Sequence, residues 1–137
     1  MAKNFSKIAR ELVRGVEKAA EMAYAPYSRI RVGAVLYAGP DRIYRGMNIE
    51  SASYSLTVCA ERVALHNALS QGEKNFRLMV LYSPQHDFIV PCGACLQVLS
   101  EWSPEIVIAT MNRCKEFKFY PLPTLLPRPF LIPAGRR

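Results

Sequence analysis

Thr57-Val58-Cys59-Ala60-Glu61-Arg62-Val63-Ala64-Leu65-His66-Asn67-Ala68-Leu69-Ser70-Gln71-Gly72 is the stretch on which the fold turns. Thr57 can cap a helix over 58–71, and Gly72 suits its exit. Val58, Ala60, Val63, Ala64, Leu65, Ala68 and Leu69 make that helix apolar on more than one side. A helix wetted along one face would carry a single apolar stripe, so this one is central and buried.

The flanks fill in around it. Upstream, residues 5–23 repeat apolar positions at helical spacing, from Phe5, Ile8 and Leu12 to Val16 and Ala20, and predict an amphipathic helix with one buried stripe. Pro26 breaks it. Ile30 to Leu36 alternates and ends in a Gly39-Pro40-Asp41 turn, and Ile43 to Ile49 resumes the extended pattern. The two runs predict a β-hairpin. Downstream, Phe76 to Tyr82 and Ile106 to Met111 are short apolar strands. Between them Pro91 opens a second helix at Cys92 that Ser103-Pro104 closes. Lys115 to Tyr120 alternates, and prolines 121, 123, 127, 129 and 133 keep the tail from regular helix or central strand. The order α-β-β-α-β-α-β predicts an α/β fold: a three-layer α-β-α domain with a central mixed sheet covered by helices, single over residues 1–137.

Composition sets the bounds. Half of the 137 residues are apolar, enough for one core. No apolar run approaches the roughly 20 residues of a membrane span, and the N-terminus lacks the apolar block of a secretory signal. The expectation is a cytoplasmic protein with no membrane contact. Net charge is +7, from 18 Lys and Arg against 11 Asp and Glu. Such a balance can mark a nucleic-acid binder, but the basic residues are scattered, with Arg136-Arg137 the only tight cluster. No aromatic-and-basic stretch suited to stacking successive bases accompanies them, so nucleic acid is not the expected partner.

Three of the four cysteines need one explanation. Cys92 and Cys95 are three apart, in the first turn of a helix, so both sulfurs can reach one ion. Cys59 starts the other core helix. Helix N-termini favour thiolate over thiol. Three sulfurs would hold a zinc ion with a fourth position open, as catalytic zinc requires. Glu61 lies two residues after Cys59, roughly 200° around a regular helix, yet in an irregular first turn it can reach the space beside the ion. There it can take a proton from metal-bound water and hand it to a substrate. Two other readings stay open. A disulfide oxidoreductase would put its Cys-x-x-Cys after the first strand of a βαβ unit, whereas here it lies late in the chain. A structural zinc site would need a fourth ligand, and Cys114 can supply one.

Cys59-Ala60-Glu61 followed by Pro91-Cys92-Gly93-Ala94-Cys95 resembles the signature of the zinc-dependent nucleoside and nucleobase deaminases, in a three-cysteine variant. Within them the chain is similar to the homotetrameric cytidine deaminases, from about Tyr27 to Phe130. The pieces are Tyr27-Ser28, Val32-Gly33-Ala34, Gly46-x-Asn48-Ile49-Glu50-Ser51-Ala52-Ser53-Tyr54, Leu56 to Arg62, Pro91 to Val98, and Leu125-Leu126-Pro127-x-x-Phe130. The resemblance implies hydrolytic deamination of cytidine and 2′-deoxycytidine, as pyrimidine salvage, by zinc-bound hydroxide, with one Zn²⁺ per subunit. It implies that Glu61 shuttles protons, that Asn48 and Glu50 bind the ribose hydroxyls, and that the Ala60 N–H contacts the pyrimidine. Asn48 and Glu50, two apart on the second hairpin strand, would share a face. It implies that Arg62 donates to the zinc-bound sulfurs, offsetting their excess negative charge, and that Phe130 stacks on the base from a neighbouring subunit of a homotetramer. Two positions depart from the family pattern. Ile30 stands where a Phe usually lines the base pocket, and Leu96 where an Arg follows the second cysteine. Other cytosine-containing substrates, a nucleoside antibiotic or single-stranded nucleic acid, are the alternatives.

Overall fold

In the computed structural model, residues 2–133 are described; Arg136-Arg137 lies outside them. The elements are helices α1 (Ala2–Glu11) and α2 (Val13–Glu21), strands β1 (Gly33–Gly39) and β2 (Arg42–Met47), a 3₁₀ turn (Tyr54–Leu56), α3 (Ala60–Ser70), β3 (Leu78–Tyr82), α4 (Gly93–Trp102), β4 (Val107–Met111), β5 (Phe117–Pro121) and α5 (Leu122–Leu125). The sheet order is β2-β1-β3-β4-β5. Strands β3 and β4 run parallel; the β1–β2, β1–β3 and β4–β5 pairs are antiparallel. The sheet is mixed, as expected.

Alternation along the strands divides the core into two layers. Ala34, Leu36, Met79, Leu81 and Ile108 point to one face, where Ala60, Ala64, Leu65 and Ala68 of α3 and Leu96 and Leu99 of α4 meet them. Val35, Leu78, Val80, Ala109 and Met111 point to the other, under Ile8 of α1, Leu12 at the junction, and Val13 and Val16 of α2. Each fully buried Leu, Ile or Val contributes about 1.5–3 kcal/mol of hydrophobic burial. Period 2 in the strands and 3.6 in the helices thus yield the three layers.

Two glycines set how closely helices approach the sheet. At Gly33 an added methyl would overlap the Val16 carbonyl and the Ala20 amide of α2. At Gly46 it would overlap the Ala60 carbonyl and the Ala64 amide of α3. Helix α3 therefore lies backbone-to-backbone on β2, which fixes its first turn, the part that carries Cys59 and Glu61.

Some details differ from expectation. The helix predicted over 5–23 starts at Ala2 and is interrupted at Leu12, whose N–H is shared between the Ile8 and Ala9 carbonyls, a local tightening. The apolar stripe runs on through it. Helix α3 begins at Ala60, capped by Cys59, because the Thr57 hydroxyl instead accepts the Ser51 N–H. Strand β2 ends at Met47, so Asn48 and Glu50 lie beyond it. The proline-rich tail contains one helical turn, α5, with Pro123 in its first positions. Those positions have no intrahelical N–H partner to lose.

Candidate active site: three thiols and a buried carboxylic acid

Cys59 and Cys92 are both N-cap residues with extended backbones (φ −70°, ψ 152° and φ −69°, ψ 164°). An N-cap side chain ordinarily accepts a helix N–H, but neither sulfur does. Both are left to face the space between the two helix starts. Cys95 joins them one turn into α4. The three sulfurs lie within 4.8 Å of one another, with Cys92 Sγ 3.6 Å from Cys95 Sγ. Tetrahedral zinc with bonds of about 2.3 Å places ligand sulfurs about 3.8 Å apart, so a small contraction closes this cluster on one ion. Three soft ligands at two helix N-termini fit Zn²⁺ by charge and by geometry.

Cys114 takes no part. It is exposed in the β4–β5 connection, and among the described residues the group able to hold a metal is Cys59, Cys92 and Cys95 alone. The structural-zinc reading, which needed Cys114 as fourth ligand, is therefore not supported. Three protein ligands leave one coordination position for a reactant.

The thiols share protons unequally. Cys59 is held down to about 5, first by the hydrogen bond from the Cys95 thiol and then, against burial, by the Arg62 guanidinium. Cys95 is pushed up by the same hydrogen bond and by burial. These are two ends of one interaction, in which Cys59 ionises first. Arg62 Nη2 lies 3.6 Å from Cys59 Sγ, and its Nε is buried with no partner among the described residues. Leu96 is packed in the core.

Glu61, at the second position of α3, is 6 % exposed. Burial pushes its carboxyl up to about 7, a value suited to giving and taking protons near neutral pH. Because Cys59 is the cap and has no helical torsions, the 200° objection to this pair does not apply.

Cys59, Ala60, Glu61 and Cys92 line one cleft of ≈ 180 Å³. Its remaining walls are Val32, Asn48, Thr57, Leu81, Ile89 and Val90. Motif spacing marks none of Val32, Leu81, Ile89 or Val90 as a site residue. They read simply as core or loop, and only the fold gathers them.

Asn48 stands in the cleft wall with its amide engaged: Oδ1 accepts the Val32 N–H (2.8 Å) and Nδ2 donates to the Ile30 carbonyl (2.8 Å). Glu50 lines an adjoining cleft with Tyr27, Ser28, Tyr54 and the shared Thr57. Its Oε1 accepts the Tyr27 and Ser28 N–H groups. Hydrogen bonds from Ser28 and Tyr27 hold its carboxyl below the ordinary value. Ile30 is half-buried and does not line the sulfur cleft. Phe130 does not line it either. It sits outside α4 and is 72 % exposed, its N–H and C=O both bonded to the Gln97 amide (2.9 and 2.8 Å).

Comparison with known proteins agrees with this geometry. Residues 6–111 match the family described as cytidine and deoxycytidylate deaminase zinc-binding region. The chain is 44 % identical over 92 residues to a cytidine deaminase of Sporosarcina psychrophila, covering 67 % of this chain and 68 % of that one. It is 44 % identical over 93 residues to a cytidine deaminase of Halalkalibacterium halodurans, covering 68 % and 70 %. The crystal structure of cytidine deaminase from Burkholderia pseudomallei superposes with a TM-score of 0.83 at 37 % identity, over 88 % of this chain and 98 % of that one. With three sulfurs spaced for zinc, a carboxylic acid buried beside them and a match running through both cysteine segments, this chain belongs to the zinc-dependent cytidine and deoxycytidylate deaminase family.

Proposed function

We propose that this chain, acting as one catalytic domain, hydrolyses cytidine and 2′-deoxycytidine to uridine and 2′-deoxyuridine with release of ammonia. The observation that carries this is Glu61: a carboxyl held near neutrality by burial, in the cleft that Cys59 and Cys92 line. Cys59, Cys92 and Cys95 hold the zinc. When bound, zinc supplies the Lewis acidity that makes water nucleophilic near neutral pH. Glu61 would take one proton from the attacking water and deliver it to N3 of the pyrimidine ring, then take the hydroxyl proton left on C4 and hand it to the departing amine, which leaves as ammonia. Arg62 offsets the surplus charge of three thiolates on a divalent ion.

The other roles follow from what each group has free. Ala60 lines the cleft, and its N–H belongs to the first turn of α3, where amides have no intrahelical acceptor; it donates to the base. Asn48 is fixed by its two backbone bonds and keeps one N–H for a ribose hydroxyl. Glu50 Oε2 serves the same sugar from the adjoining cleft. Ile30 keeps the approach to the base apolar. Phe130, exposed and outside its own cleft, serves a second copy of the chain, and we read the working form as a homotetramer with shared sites. The reaction fits pyrimidine salvage in the cytoplasm, where thiols stay reduced and available to a metal. No helix among the described residues is long and apolar enough to cross a membrane.

The test is an absorbance assay of zinc-loaded protein with cytidine, deoxycytidine, adenosine and a cytosine-containing single-stranded oligonucleotide side by side. The two pyrimidine nucleosides should be consumed. Turnover of the oligonucleotide alone would overturn the assignment.

A further inference from the structure

Among the described residues four that are not glycine have positive φ: Arg29, Asp41, Phe88 and Lys115. Asp41 and Lys115 sit in the turns of β1–β2 and β4–β5, where such torsions are common. Phe88 is different. Its φ is 53°, and an aromatic side chain disfavours the left-handed region, so the surroundings must hold it there.

Two contacts from the far edge of the sheet do so. Lys118 of β5 places Nζ 4.1 Å from the centroid of the Phe88 ring. The neighbouring Asp87 accepts three hydrogen bonds from Arg113: the backbone N–H (3.0 Å) and Nε (3.2 Å) on Oδ1, and Nη2 (3.1 Å) on Oδ2. The chain leaves this braced turn directly into Ile89 and Val90, two apolar walls of the sulfur cleft. Ile89 also packs against the α3–α4 side of the core. No ligand of the metal and no polar site residue lies in the brace.

We propose that Phe88, held by Lys118 and by the Asp87–Arg113 pair, is a positioning residue that sets where Ile89 and Val90 stand against the substrate base. This rests on the reading that the cleft receives a pyrimidine. The apolar wall affects how well the base is held; the proton steps at Glu61 do not pass through it. Disturbing the brace therefore changes KM while leaving kcat nearly alone.

Lys118→Met tests this, since it keeps the aliphatic stem and removes the charge at an exposed position. Lys118→Arg restores a cation over the ring. In zinc-loaded protein, Lys118→Met should raise KM for cytidine about two- to fivefold, the factor expected for an exposed cation–π contact. Its kcat should stay within twofold and its zinc content at one per chain. Lys118→Arg should return KM to the parent value. A second readout needs no turnover: the methyl resonances of Ile89 and Val90 in zinc-loaded protein should move in Lys118→Met and in Phe88→Gly, and return in Lys118→Arg. If the parent protein leaves cytidine untouched, the substrate reading fails, and the methyl resonances still decide whether the wall is braced. Unchanged methyl positions in Lys118→Met overturn the proposal. So do shifted methyls without a change in KM, or a loss of kcat or zinc with KM unaltered.

Discussion

Gly46→Ala puts the packing account of the site at risk most sharply. The added carbon would fall 2.9 Å from Ala64 Cα, besides overlapping the Ala60 carbonyl and the Ala64 amide. Carbon atoms in contact prefer about 3.5–4.0 Å, so α3 must retreat from β2 by on the order of 1 Å. The obstructing atoms are backbone and cannot swing aside. Overpacking of this kind costs about 1–3 kcal/mol. For 137 residues, unfolding entropy of about 2.1 cal/mol/K per residue makes each kcal/mol about 3.5 °C, so Tm should fall by roughly 3–10 °C. The retreat also moves Cys59 and Glu61, which start that helix. A displacement of about 1 Å can cost on the order of 10²-fold in rate. Two controls separate the effects. Gly33→Ala meets α2 in the same way, on the layer away from the sulfurs; it should lower Tm comparably yet leave kcat per bound zinc within a few-fold. Gly15→Ala, in mid-helix with Arg45 Nε at an ordinary 3.5 Å, should gain about 0.5–1 kcal/mol. Calorimetry, zinc analysis and steady-state rates on the three variants decide. Gly46→Ala with parental Tm and kcat would refute the claim that backbone contact places α3.

Cys114→Ser should leave zinc content at one per chain, measured by atomic absorption; loss of metal would revive a four-sulfur site. Arg62→Gln should lower kcat about 10- to 100-fold, in line with other partners of metal ligands, and change the rate at which a chelator strips the zinc. Phe130→Ala should raise KM and weaken the oligomer in sedimentation velocity, whereas a fully active monomer would exclude a shared site.

The gathering of Cys59, Cys92 and Cys95, with Glu61 beside them, was legible in the sequence because local spacing carries it. A Cys-x-x-Cys after a proline and a Cys-x-Glu before an alanine-rich helix each report one helix start, and the match of two such starts implies that they converge. The sheet was legible from alternation, since the layers follow from which residues point where. Positions set by competition for hydrogen bonds were not. Thr57 looked like a cap, but Ser51 claims its hydroxyl. Asn48 looked like a strand residue with a free amide, but Val32 and Ile30 occupy it. The break at Leu12 and the left-handed Phe88 depend on tertiary contacts that no window of neighbouring residues contains. Ile89 and Val90 read as loop because their partners in the wall come from Val32 just ahead of β1, from β3 and from α3.

The central claim is that Glu61 moves the protons in a zinc site that stands without it. Glu61→Gln keeps the size of the side chain and removes the acid. Zinc content and kcat for cytidine, measured on the same preparation, test the claim together. The account predicts one zinc per chain and a kcat lowered by about 10²–10⁴-fold or more. Turnover at the parental rate with zinc bound would contradict it.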